Sequence, residues 1–142
     1  MPYRFGTASL KQLKSCHTDL RAILETVISH MDITILAGHR DEATQNRLQD
    51  EGLSRLRYPL SRHNQTPSMA ADIAPYSPLA KGGVDWEDRE AFAYMGGLVR
   101  GIAVMMKRDG RIKHDLVWGG DWNADGHVRD ENFRDLVHFE LR

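Results

Sequence analysis

The chain has 142 residues, 41% hydrophobic and 27% charged, with a formal net charge of −1. Its length and composition fit one globular domain, and the absence of a basic excess disfavours nucleic acid as a partner. Its single cysteine, Cys16, excludes an internal disulfide framework, and no apolar run reaches the ~20 residues that a bilayer span requires.

In chain order, the first periodic segment opens at Ser9, which with Gln12 fits a capping box. Leu13, Leu20, Leu24 and Val27 recur at helical steps, predicting one helix to about His30 with Cys16 as a small buried hydrophobe. Ile33 to Leu36 is a β-branched run closed by Gly38 and predicts a strand. Asp41 is placed to cap a second helix running to about Glu51, with Gly52 at the C′ position. Residues 54–70, with Pro59 and Pro67, read as loop. Ala70 to Ala74 follows as a strand stopped by Pro75.

Asp85 is the expected cap of a third helix that turns Phe92, Met95, Leu98, Val99, Ile102 and Met106 inward. Gly96, Gly97 and Gly101 in it imply close packing, and Gly110 ends it. Ile112 to Trp118 and Val137 to Leu141 complete the set as strands, separated by a polar, glycine-bearing loop. The sum is an α+β fold, a small antiparallel sheet with about three helices, in one domain over residues 1–142.

Two stretches carry the chemistry. In Ser61 to Asp72, His63 and Asp72 bracket a proline-containing loop that can fold both side chains to one point. In Asp135 to Leu141, a carboxylate precedes His138 by three residues at the mouth of a strand. Catalytic zinc takes three protein ligands and keeps one position for water. Two imidazoles and a carboxylate meet that count, and Asp135 is the candidate base for the water's proton. Spacing alone leaves this reading and a purely structural His–Asp pair both open.

The paired motifs Ser61-x-His63…Ala70-x-Asp72 and Asp135-x-x-His138-Phe139-Glu140-Leu141 resemble the zinc D-alanyl-D-alanine carboxypeptidase and L-alanyl-D-glutamate endopeptidase family. Trp118-Gly119-Gly120-Asp121-Trp122 resembles its phage endolysin branch. The resemblance runs from about Ile33 to the C-terminus. It implies a hedgehog/D-Ala-D-Ala peptidase-like fold, one Zn²⁺ on His63, Asp72 and His138, Asp135 as general base, and Arg40 steadying the oxyanion. Arg40→Ala is accordingly expected to keep zinc and lose about 10²–10³ in activity. Gln45 resembles a substrate-contacting position, and Ser61 is placed to hydrogen-bond into the site. Nine positions separate His63 from Asp72, more than in many relatives, which bears on pocket shape.

The implied activity is hydrolysis of a peptidoglycan stem-peptide bond, L-alanyl-D-glutamate first. A D-alanyl-D-alanine carboxypeptidase or dipeptidase and a non-catalytic zinc-stabilised binding module are the alternatives; Asp135 argues against the last. The expected setting is a monomer without membrane partner, signal peptide or separate wall-binding domain, held in the host cytoplasm until released to the wall. Asp121, Asn123, Asp125 and Gly126 also match the start of an EF-hand loop, so Ca²⁺ is a second candidate ion; the pattern fails at its twelfth position, Asn132. His17, His30 and His127 read as bystanders, and His39 and His114 as neighbours of uncertain direction.

Overall fold

The computed structural model describes residues 3–131 and 133–142; Asn132 lies outside them. The elements are α1 (Thr7–Lys14), α2 (Thr18–Val27), β1 (Ile33–Ala37), α3 (Glu42–Asp50), β2 (Ala70–Pro75), α4 (Arg89–Arg108), β3 (Leu116–Trp118) and β4 (His138–Leu141). The fold is α+β, as expected, but the first helix is two. Cys16 and His17 leave the helical path because Ser68 captures the backbone there: the His17 amide donates to the Ser68 carbonyl at 2.9 Å and the Ser68 amide to the Ser15 carbonyl at 2.9 Å. His17 then caps α2, its Nδ1 accepting from the Asp19 amide at 2.9 Å. Cys16 is buried at the break.

Ser9 is not a cap. Gly6 precedes α1, and the Ser9 hydroxyl accepts from the Ile35 amide at 3.0 Å, which pins α1 to β1. Asp41 caps α3 as predicted, and Gly52 follows it at φ +76°, a conformation in which glycine carries no side-chain penalty. The cap of α4 is Asp88, three residues beyond the predicted Asp85, whose carboxylate instead holds the preceding turn through the Glu87 amide. The third strand is shorter than Ile112 to Trp118, because Asp19 takes the Lys113 and His114 amides out of the ladder at 2.9 and 3.1 Å.

The four strands are antiparallel in the order β1-β2-β4-β3. Alternation along the two central strands sorts their side chains. Ala71, Ile73, Phe139 and Leu141 share one face and are buried in the hydrophobic core with α2 and α4. Asp72, His138 and Glu140 share the other. Across the sheet, Ala37, Asp72 and His138 fall in one register row, so β1 delivers the chain to Gly38 beside the two polar residues. Helices α2 and α4 lie on the core side, and α4 comes close enough for a Cβ on Gly96 to sit 2.4 Å from the Trp118 ring. No helix among the described residues is long and apolar enough to cross a membrane.

Candidate metal centre and cleft

His63 joins Asp72 and His138 from outside the sheet. It sits on a single 3₁₀ turn, Arg62–Asn64, whose N-cap is Ser61: the Ser61 hydroxyl accepts from the His63 amide at 3.2 Å and the Asn64 side chain accepts from the Ser61 amide at 3.0 Å. Two backbone bonds fasten this turn to the sheet's end, Arg40 amide to His63 carbonyl at 2.8 Å and Met69 amide to Arg62 carbonyl at 3.1 Å. The result is a three-residue focus. Asp72 Oδ1 lies 3.2 Å from His63 Nε2 and 3.3 Å from His138 Nδ1, and one ligand-type atom from each residue falls within 4.8 Å of the others.

The far sides of these groups are also occupied. His63 Nδ1 donates to the Gly38 carbonyl at 2.7 Å, which fixes the tautomer and leaves the Nε2 lone pair facing the focus. His138 Nε2 is 3.0 Å from Glu140 Oε1, which does the same for Nδ1. Arg40 Nη2 donates to Asp72 Oδ2 at 2.6 Å, leaving Oδ1 turned inward. Metal-binding histidines are usually oriented by such outer partners, so the donor set fits a small N/O-liganded ion. The focus opens into a cleft of about 890 Å³, lined among others by Arg40, Arg55, Trp122, Phe133 and Asp135.

Comparisons with known proteins place the chain in a family. A model of the phage L-alanyl-D-glutamate peptidase family matches residues 1–142. The chain belongs to that family. The L-alanyl-D-glutamate peptidase of Escherichia phage T5 is 34% identical over 146 residues, covering 99% of each sequence. The structure of the Serratia marcescens L-Ala D-Glu endopeptidase ChiX has the same fold, with a TM-score of 0.70 at 24% identity, covering 98% of this chain and 90% of that one.

In this family member the electrostatics of the focus are strongly coupled. Burial works against the Asp72 carboxylate, but His63 and His138 overcome it and hold the group well below the usual carboxylate range. Burial likewise works against protonated His138, yet its bonds to Asp72 and Glu140 raise it to about 9. Glu140 is brought down to about 2, its burial outweighed by His138 and Arg142. Asp135 moves the other way: burial, then the nearby Asp72 charge, raise its carboxyl above the ordinary value. A carboxyl lifted in this way holds a proton more readily than an ordinary aspartate does, as a general base requires.

The remaining predicted site residues fall in several places. Ser61 lines the cleft, but its hydroxyl serves the turn that bears His63. Gln45 does not reach the cleft. It is fully buried, its amide donates to Ser54 Oγ at 2.9 Å and the Leu56 carbonyl at 2.6 Å, and it accepts from Asn64 at 3.3 Å. It braces the loop after α3, which corrects the substrate-contact expectation. Arg40 lines the cleft and also donates to Asp72, one of the three candidate ligands.

Asp121 is buried, its carboxylate paired with Arg100 at 3.1 Å and accepting the Gly126 amide at 2.9 Å, while the Asn123 amide donates to Asp125 at 3.0 Å. These three residues share a tight turn whose leading carboxylate already faces a cation. Far from the cleft, His114 Nδ1 meets Asp19 at 2.8 Å beside the capping His17. His17 keeps its Nδ1 lone pair for the Asp19 amide, so this cluster closes the N-terminus of α2.

Sequence reasoning missed Glu140, the Gly38 carbonyl and Gly119. Glu140 was findable, since a carboxylate two residues after a histidine on a strand shares its face. Gly119 was not. A Cβ there would lie 2.2 Å from the Asp135 carbonyl, a contact between residues sixteen positions apart that only the fold creates.

Proposed function

We propose that this chain is a zinc-dependent endopeptidase of peptidoglycan that hydrolyses the bond between L-alanine and D-glutamate in the stem peptide, as a phage lysis enzyme. One observation carries the reading: in a member of this peptidase family, His63 Nε2, Asp72 Oδ1 and His138 Nδ1 converge at the floor of an open cleft, each oriented by an outer partner. The names of the T5 relative and of the Serratia endopeptidase support the choice of bond.

A zinc ion held by His63, Asp72 and His138 would supply Lewis acidity toward the scissile carbonyl and make water nucleophilic near neutral pH. The chain's own residues do the rest. Asp135, on the cleft wall and raised by burial and by Asp72, takes the water's proton and returns it to the leaving amine. Arg40 fixes Asp72 and presents its guanidinium on the same wall, where negative charge grows on the carbonyl oxygen. Gly38 and Glu140 keep the imidazoles from turning.

The test is mass spectrometry of wall fragments released by the wild type and by Asp135→Asn, with and without chelator. New amino termini on D-glutamate, no free D-alanine, and a loss of about 10²–10⁴ in kcat for the variant with zinc still bound are expected. Free D-alanine as the product would replace this activity with a carboxypeptidase.

A further inference from the structure

Four arginines line the cleft: Arg40, Arg55, Arg62 and Arg142. Three are committed to carboxylates of the protein. Arg40 pairs with Asp72 at 2.6 Å, and Arg142 and Arg62 both address Glu140, at 3.0 and 3.6 Å. Among the described residues, Arg55 has no carboxylate within ion-pair distance. It is nevertheless held in place. Its guanidinium carbon lies 3.7 Å from the centre of the Phe133 ring, Phe133 stacks on Trp122 at 6.4 Å and 12°, and Trp122 leans on the His138 ring at 5.7 Å. Trp122 Nε1 locks the stack by donating to the Phe133 carbonyl at 2.8 Å. A ladder of rings therefore runs from the metal focus to an arginine whose plane is supported and whose N–H groups meet no hydrogen-bond acceptor among the described residues.

The substrate proposed above offers a matching group. D-Glutamate has two carboxyls, and a peptide chain continuing through one leaves the other free beside the scissile nitrogen. We propose that Arg55 binds this free carboxylate and so makes the enzyme selective for an acidic residue on the amine side of the cut. The assignment rests on the bond named under the proposed function. It makes Arg55 a binding residue, with no part in bond breaking.

The experiment uses the full chain loaded with zinc and two synthetic peptides, each with an L-Ala–D-Glu bond and blocked ends. In one the chain continues through the D-Glu γ-carboxyl and the α-carboxyl is free; in the other that α-carboxyl is a primary amide, and it is the only difference between them. Wild type is expected to show a KM about 10–100-fold higher on the amide, with kcat within about threefold, since a charge-assisted hydrogen bond is removed. Arg55→Met keeps a side chain over Phe133 but no charge. It is expected to lose the same factor on the carboxylate peptide and nothing further on the amide, and Arg55→Glu to prefer the amide. Equal losses on both peptides for Arg55→Met, or discrimination that survives in it, overturn the proposal while leaving the cleaved bond established. Wild type that cuts neither peptide between L-Ala and D-Glu, yet digests wall at another bond, overturns the proposed function and this assignment with it.

Discussion

Each imidazole at the focus is decided by an atom on its far side. Glu140 accepts from His138 and is itself gripped by Arg142 at 3.0 Å. Glu140→Ala is expected to weaken zinc about 10–100-fold in competition with a chromophoric chelator, and Glu140→Gln far less because its carbonyl still accepts from Nε2. Arg40→Ala is expected to lower both activity, by about 10²–10³, and zinc affinity, because it frees Asp72. Undiminished affinity in that variant would restore a purely catalytic role. The pH dependence has two opposed signs. Metal-free His138 has a pKa raised from 6.5 to about 9, so its bonds to Asp72 and Glu140 stabilise the fold fully below pH 6.5 and fade as pH rises through 9. Zinc must displace that proton, so its affinity rises over the same interval. Urea melts with chelator and zinc titrations, both at pH 6, 7.5 and 9, read the two trends separately. At this scale the sequence was legible where a residue's type dictates its work. His63, Asp72 and His138 could be named from order and spacing with the family resemblance. Gln45 misled, because a polar residue near a site motif looks the same in sequence whether it faces the cleft or the interior.

At the level of elements, α4 shows how differently three glycines can be used. Gly96 lies against Trp118, which is also approached by Gly120 and fixed by a bond from its Nε1 to the Leu136 carbonyl at 2.9 Å. Gly96→Ala must displace a buried ring and is expected to cost about 1–3 kcal/mol in a denaturant melt. Gly97 and Gly101 have nothing within 4 Å of a built Cβ, so Gly101→Ala is expected to stabilise the helix by up to about 1 kcal/mol. Periodicity revealed α4 and its inner face but could not say which glycine touches a neighbour. The missed break at Cys16 has a similar origin. Leu13, Leu20 and Leu24 keep a helical rhythm through it, and the competing partner is Ser68, some fifty residues away. Asp19 likewise shortens β3 from a distance by taking the Lys113 and His114 amides. Asp19→Ala, which strands those two donors, is expected to lower stability by about 2–3 kcal/mol.

For the whole molecule, the three candidate ligands come from a turn and two strands, so an ion bound to them ties the loop after α3 to the middle of the sheet. Zinc at about 100 times its Kd should then add about 2.7 kcal/mol to unfolding, read as a higher Tm that chelator abolishes. The frame and the reach of the cleft are separable in this architecture. The excursion between β3 and β4 is cinched at its neck, where the Asp135 amide donates to the Gly119 carbonyl at 2.8 Å and the Gly119 amide to the His138 carbonyl at 2.8 Å. Beyond that neck, residues 120–131 and 133–134 carry Trp122 and Phe133 to the rim of the cleft that Asp135 also lines. A cinched excursion of this kind lets a graft rewrite which wall chemistry is welcomed at the rim, on condition that the ring resting on His138 is kept.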